Sequence, residues 1–174
     1  MKWILLAAGG FAALVAVMAI VGALLPRGHT VSRAARFRRP PAALFATVRD
    51  FASSPAWRPE LRRVEILPPR DGLPRHRAIT RHGPITYVVR EELVAERLVL
   101  EIADPGLPFG GRWIFAFAAV PGGTELRLTE EGFVKNVFFR FLARFVFGHT
   151  ATMERYLRDL AQTCGEPPPA FSPS

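Results

Sequence analysis

The sequence has 174 residues, of which 49% are hydrophobic, and its 23 Lys+Arg against 15 Asp+Glu give a formal net charge of +8 at pH 7. This length allows one domain of ordinary size and an additional segment. The basic residues are arginines spread along the chain, apart from Lys2 and Lys135. No helix-turn-helix, zinc-finger or RNA-binding signature accompanies them, so we expect no nucleic-acid partner. Cys164 stands alone, which excludes an intramolecular disulfide and a cysteine metal site.

The N-terminal segment 3–25 is uncharged and apolar, and it has about the 20 residues that a helix needs to cross a bilayer. A cleaved signal peptide is the alternative, but its apolar core usually spans only about 7 to 15 residues. We therefore expect a retained single-pass helix in the cell membrane, with the lipid bilayer as a partner of residues 3–25. By the positive-inside rule, the arginines that follow predict that the rest of the chain is cytoplasmic. These are Arg27, Arg33, Arg36, Arg38 and Arg39.

A first strand is predicted over 29–38, where polar and apolar residues alternate. Pro40 and Pro41 end this strand. A short helix is predicted over 42–51. The prolines just before it are compatible with a helix start, because proline is tolerated in the first turn. The segment 53–59 then forms a second short helix or turn that presents Trp57.

Six further strands are predicted from the alternation of side chains between glycine- and proline-rich turns. They lie around 63–66, 75–82, 85–91, 97–102, 112–120 and 124–134. The stretch 136–162 instead repeats apolar residues at the period of an α-helix, and Gly165 with the prolines after it supplies the stop. Consecutive strands with short turns form an antiparallel meander, and one long amphipathic helix can cover one face of it.

This order of elements resembles the helix-grip fold of the START-like (SRPBCC) superfamily, which includes polyketide cyclases/dehydrases and lipid-transport proteins. The resemblance covers residues 30–164. It is carried by the segment PPAALFATVRDF at 40–51, by SSPAWRP at 53–59, by the GGTEL turn at 122–126 and by Gly148-His149-Thr150. It implies an α+β domain in which a curved antiparallel sheet of about six or seven strands wraps on a long C-terminal helix. It also implies a cavity between the sheet and that helix for an apolar small molecule.

The chain is thus expected to divide into a transmembrane anchor (1–26), a START-like helix-grip domain (27–165) and a disordered tail (166–174), the tail because of its proline and serine content. The candidate ligand is a lipid, an isoprenoid or quinone, or an aromatic molecule. The candidate ligand-binding residues are Trp57, His82, Tyr87, Trp113, Phe115, Phe117, Leu142, Phe145, His149, Met153 and Tyr156.

His149 interrupts the apolar side of the last helix, one turn from Phe145 and Met153. An imidazole there could hydrogen-bond a ligand or act as an acid or base. The alternative is a core histidine bonded to a backbone carbonyl or to Thr152. The four histidines show no zinc-ligand spacing, and we expect neither a metal nor a cofactor.

Three interpretations follow. The leading one is a membrane-anchored module that binds an apolar small molecule without catalysis. The second is a cyclase- or hydrolase-type enzyme that uses His149 with Tyr87 or Glu130. The third is a structural or interaction domain with a filled core. The phenylalanines that begin the last helix are also typical of a helix that lies in a membrane interface.

Overall fold

The structure is a computed structural model, and it describes residues 2–142, 145 and 150–173. The helices are α1 (Lys2–Leu24), α2 (Pro41–Arg49), α3 (Val137–Leu142) and α4 (Ala151–Thr163), with a 3-10 turn at Ser54–Ala56. The strands are β1 (Gly28–Phe37), β2 (Leu61–Arg70), β3 (Leu73–Thr80), β4 (Gly83–Leu93), β5 (Arg97–Ile102), β6 (Phe109–Val120), β7 (Gly123–Val134) and the two-residue β8 (Ser172–Pro173).

The strands form one antiparallel sheet in the order β2-β3-β4-β5-β6-β7-β1-β8. Strands β2 to β7 follow the chain as a meander, and β1 returns to pair with β7 along its whole length, from Gly28 opposite Phe133 to Phe37 opposite Thr124. Seven long strands and a C-terminal helix give the α+β helix-grip fold, which confirms the predicted fold class without its transmembrane helix.

Turn chemistry explains the first hairpin of the meander. Asp71 and Gly72 connect β2 to β3, and both have positive φ, 55° and 77°. A two-residue turn of this kind matches the twist of the strands, and it suits the pair Asp-Gly because few other residues adopt positive φ without strain. The Asp-Gly pair thus marks the boundary between β2 and β3, whereas Pro68 and Pro69 lie within β2.

The core lies between one face of the sheet and the two helices α2 and α4. α2 begins at Pro41 and buries Leu44, Phe45 and Val48. α4 ends before Gly165, whose φ is 71°, and it buries residues at helical spacing. The buried residues of α4 are Met153, Tyr156, Leu157, Leu160 and Ala161. The sheet contributes Leu98, Leu100, Phe115, Phe117, Leu126 and Leu128.

The stretch 136–162, predicted as one helix, contains α3 and α4 as separate helices in the part that the structure describes. The predicted site residue His149 lies outside the described residues. Phe138 and Phe145, assigned to the apolar side of that helix, are 38% and 59% exposed, so the burial pattern of α4 does not extend back to them.

The membrane prediction is wrong. Among the described residues, none of the helices combines the length and the apolar character needed to cross a bilayer. This finding contradicts the predicted transmembrane helix over 3–25 and the cell-membrane location that rested on it, and it gives no support to the bilayer as a partner. In the structure the end of α1 packs on α3, where the Arg140 Nη1 donates to the Leu25 carbonyl at 3.0 Å. A Cβ at Gly22 would overlap the Val137 carbonyl, so glycine permits this close approach.

Several residues of the segment 166–173 contact the rest of the domain. Arg38 N donates to both carboxylate oxygens of Glu166, at 3.0 and 3.1 Å. Phe171 packs on the core, and Arg158 lies over its ring at 5.0 Å. Ser172 and Pro173 then pair with Ala34 and Arg33 of β1.

Candidate functional site

An outer cavity of about 630 Å³ lies between the sheet and the helices α3 and α4. Its wall is mostly apolar, and it includes Ile85 and Tyr87 of β4, Trp113 of β6 and Phe139 of α3. The polar groups on it are few, among them His29, His82 and Glu130. Strands β1, β4, β6 and β7 supply most of this wall.

An inner pocket of about 160 Å³ adjoins this cavity beneath α2 and the 3-10 turn. Ile85, Tyr87, Trp113 and Thr152 line both spaces. The two therefore form the wide and narrow parts of one recess, which follows the sheet from β7 to β3.

Tyr156 of α4 is the centre of an aromatic cluster in the inner pocket. Its ring centroid lies 5.3 Å from that of Trp57, 5.7 Å from that of Trp113 and 5.5 Å from that of Phe115. The contacts with the two tryptophans are edge-to-face, an arrangement worth about 0.5–1.5 kcal/mol beyond burial alone. These contacts hold the 3-10 turn, the sheet and α4 together around the pocket.

The phenols of the recess are uncharged at neutral pH. Burial raises the pKa of Tyr156, with a smaller opposing effect of Arg58, and burial likewise raises the pKa of Tyr87. Both groups are therefore neutral donors or acceptors. Neutral phenols favour an apolar or weakly polar ligand over an ion, because an ion would lose its hydration on entry and gain no opposite charge from them.

Arg58 lines the inner pocket, with its guanidinium 4.9 Å above the ring of Tyr156. Its Nη2 and Nε lie 2.6 and 2.8 Å from Glu60 Oε1, so its charge is paired. The second carboxylate oxygen of Glu60, Oε2, is buried without a hydrogen-bond partner in the described structure.

His76 of β3 lies in the inner pocket and is 5% exposed. Its ring stacks on Phe51 at 4.0 Å and on Tyr87 at 5.2 Å, with interplanar angles of 21° and 18°. Burial, with the charges of Arg58 and Arg49, lowers the pKa of His76 from 6.5 to about 4. The imidazole is therefore neutral at pH 7.

The outer cavity carries a second histidine. His29 Nε2 of β1 lies 3.3 Å from Glu130 Oε1 of β7, and both groups are mostly buried. Gly132 makes this pair possible, because a Cβ there would lie 2.6 Å from His29 Cε1 and 3.1 Å from Glu130 Oε1. An imidazole and a carboxylate thus share the wall of an apolar cavity.

The predicted ligand-binding residues divide into three groups. Those on the recess are Trp57, His82, Tyr87, Trp113, Phe115 and Tyr156. Phe117 and Met153 are buried in the core and are not part of either wall, while Leu142 is half-buried and Phe145 exposed away from them. His149 cannot be placed, since it is outside the described residues.

Sequence reasoning missed His29, His76 and Thr152. A signal for His76 was present, since His76, Ala78 and Thr80 alternate along β3, and all three line the inner pocket. His29 is the second residue of β1, and its partner Glu130 is 101 positions away, so no local pattern joins them. In the described part of the chain, no three His, Cys, Asp or Glu side chains are grouped to hold a metal.

Comparison with known proteins agrees with this geometry. The family model for polyketide cyclase / dehydrase and lipid transport matches residues 28–165. The chain therefore belongs to this family, and the predicted START-like relationship is confirmed at that level. No curated protein matches the sequence.

Several solved structures share the fold. The Zhui aromatase/cyclase from Streptomyces sp. R1128 has a TM-score of 0.66 at 12% identity, over 79% of this chain and 94% of that one. A START superfamily protein from Mycobacterium smegmatis has a TM-score of 0.63 at 19% identity, over 79% and 97%. The di-domain ARO/CYC StfQ from the steffimycin biosynthetic pathway has a TM-score of 0.64 at 14% identity. The match covers 79% of this chain and 51% of that one. At these identities the likeness shows the fold alone.

Proposed function

We propose that the protein binds an apolar small molecule, namely a lipid, an isoprenoid or quinone, or an aromatic compound, in the recess between the sheet and α4. The observation that carries this proposal is the outer cavity of about 630 Å³ with its mostly apolar wall. Small-molecule pockets typically have volumes of about 300–1,000 Å³ and apolar linings with few polar groups. We further propose that residues 27–165 form the binding domain.

The neutral state of the buried phenols and of His76 supports an uncharged or weakly polar ligand. An ion would lose hydration without gaining an opposite charge, since Arg58 is already paired with Glu60. The aromatic cluster around Tyr156 offers ring edges and faces to a flat or chain-like molecule.

The test is the binding of N-phenyl-1-naphthylamine, a neutral probe whose fluorescence rises in apolar surroundings, to the full chain. Thr152 of α4 lies on both parts of the recess, so Thr152→Trp should fill it and weaken binding at least about tenfold. The matched control is Thr163→Trp, at the other end of the same helix and exposed, which should leave the affinity unchanged. Absence of binding to the unmodified protein, or equal binding by Thr152→Trp, would refute the proposal.

A cyclase-type reaction is a second candidate, favoured by the His29–Glu130 contact at 3.3 Å on the wall of the outer cavity. A carboxylate and an imidazole in an apolar space can transfer protons at a carbon next to a carbonyl. The test is the exchange of the C1 protons of 2-tetralone for deuterium, followed by NMR. Exchange faster than in buffer, lost in Glu130→Gln while probe binding persists, would support this candidate; exchange at the buffer rate would reject it.

A further inference from the structure

The inner pocket contains a buried polar group that its own surroundings do not satisfy. His76 Nδ1 is buried and has no hydrogen-bond partner among the described residues. An unsatisfied buried polar atom destabilises the folded state, and such atoms are uncommon in folded proteins. A partner from outside the chain would remove this cost.

The stacking of His76 restricts how such a partner can approach. The ring of Phe51 stacks on the His76 ring with a centroid distance of 4.0 Å. The ring of Tyr87 lies nearly parallel to the His76 ring, with a centroid distance of 5.2 Å. A ligand therefore meets the edge of the imidazole, where the nitrogens lie, and it interacts by a hydrogen bond in the ring plane and not by stacking.

Other polar side chains of the inner pocket are already engaged. The Ser54 hydroxyl donates to the Phe51 carbonyl at 2.7 Å, and the Thr80 hydroxyl donates to the Gly83 carbonyl at 2.8 Å. Arg58 is bonded to Glu60. Two buried atoms of this wall, His76 Nδ1 and Glu60 Oε2, have no hydrogen-bond partner among the described residues. The carboxylate oxygen can only accept, whereas the imidazole can donate to a ligand or accept from it.

The charge state of the His76 imidazole determines which ligand group can form a hydrogen bond with it. A neutral imidazole has one donor nitrogen and one acceptor nitrogen. A hydroxyl group donates and accepts, so it fits either tautomer of His76. A carboxylate only accepts, and it would lose far more hydration on entering the pocket than a hydroxyl.

We propose that the inner pocket recognises a hydroxyl group through the edge of His76, and that the ligand is an apolar molecule that ends in an alcohol or phenol. This inference rests on the proposed binding function and names the ligand class of the same recess. The hydroxyl lies at the narrow end, and the apolar body extends past Tyr87 and Trp113 into the outer cavity.

The test compares 2-naphthol with naphthalene, which differ by one hydroxyl, on the full chain at pH 7.5. A pocket that offered no partner would prefer naphthalene, because the hydroxyl of naphthol would lose its water. We expect the opposite, with 2-naphthol bound about fivefold to tenfold more tightly, as one hydrogen bond of about 1 kcal/mol or slightly more would give.

His76→Phe keeps a flat ring in the stack and removes both nitrogens, so it should abolish the preference for naphthol and leave naphthalene binding intact. The control is Arg77→Phe, next to His76 on β3 but exposed and on neither wall of the recess, which should keep the preference. Equal affinities in the unmodified protein, or a preference that survives in His76→Phe, would overturn the inference alone. Failure of both probes to bind would overturn the proposed function and this inference with it.

A measurement on the unmodified protein removes any dependence on the folding of the variant. In long-range ¹H–¹⁵N spectra, 2-naphthol should shift the ring nitrogen resonances of His76 by several ppm, whereas naphthalene should not. Identical spectra with the two probes would contradict the inference.

Discussion

The rings of His76 and Tyr87 lie 5.2 Å apart and 18° from parallel, on directly paired positions of β3 and β4. This stack keeps the imidazole in the protein interior, where its pKa falls from 6.5 to about 4 because of burial and of the charges of Arg58 and Arg49. The unfolded chain therefore binds a proton at a pH where the folded protein does not.

We predict that His76 makes the protein sensitive to acid. Between pH 6.5 and about 4 the free energy of unfolding should fall as pH falls, by up to about 3 kcal/mol, since each pKa unit corresponds to about 1.4 kcal/mol. The free energy of unfolding, measured with denaturant across pH 4–8, should fall less steeply toward low pH in His76→Phe than in the unmodified protein. Parallel curves for the two proteins would show that His76 is not responsible.

Thr124 connects β7 to the segment between β1 and α2. Its hydroxyl is fully buried and donates to the Arg39 carbonyl at 2.7 Å. Thr124→Val keeps the shape and leaves that carbonyl without its donor, so we predict a loss of about 1–3 kcal/mol of unfolding free energy. Thr47→Val is the control, because its bond to the Ala43 carbonyl is solvent-exposed and water can replace it. Equal effects of the two substitutions would contradict this account.

Gly132 leaves space for the His29–Glu130 pair in the outer cavity. A methyl group there would meet His29 Cε1 at 2.6 Å and Nε2 at 2.7 Å, so Gly132→Ala should displace the imidazole. We predict a lower melting temperature and altered affinity for N-phenyl-1-naphthylamine. Gly28→Ala, on the neighbouring strand, meets no atom closer than 3.7 Å and should change neither property by a comparable amount. Normal stability and binding in Gly132→Ala would disprove the crowding argument.

Two carboxylates of α4 should respond to neutralisation with opposite signs. Burial and then the charge of Glu60 raise the pKa of Asp159, so its ionisation disfavours the folded state as pH rises above about 3.8. Asp159→Asn should therefore raise the melting temperature at pH 7. The hydrogen bond from Arg33 lowers the pKa of Glu154, whose stabilising effect is present at neutral pH and lost in acid. Glu154→Gln should lower the melting temperature slightly. The corresponding loss in free energy of unfolding should be less than about 1 kcal/mol.

Thermal unfolding at pH 7 and pH 4 measures both effects. The difference in melting temperature between Asp159→Asn and the unmodified protein should be smaller at pH 4 than at pH 7. The same should hold for Glu154→Gln. Melting temperatures that move in the same direction for both variants at pH 7 would refute the assignment.

The strands were predictable because each carries its own local signal. Alternation and turn residues such as Asp71-Gly72 depend on a few neighbours, and the resemblance then supplied the order in which the strands pack. The burial of Met153, Tyr156 and Leu160 followed in the same way from helical spacing. These predictions are confirmed.

The site was predicted less well because it depends on contacts between distant residues. Tyr87, Trp113 and Tyr156, predicted because large aromatics on an inward face are visible in the sequence, line the inner pocket. The state of His76 depends on Phe51 and Arg58, and that of His29 depends on Glu130 and Gly132, which no spacing rule connects. The membrane prediction failed because composition over 3–25 was its only support.

The two ends of the sheet bear on how the protein behaves at high concentration. β2 forms one end, and it contains Pro68 and Pro69, which lack the amide donors that an added strand needs. At the other end, β8 pairs with β1 at Arg33 and Ala34. Removal of the last residues would uncover these β1 backbone groups, and strand-by-strand aggregation would then start from β1 and not from β2.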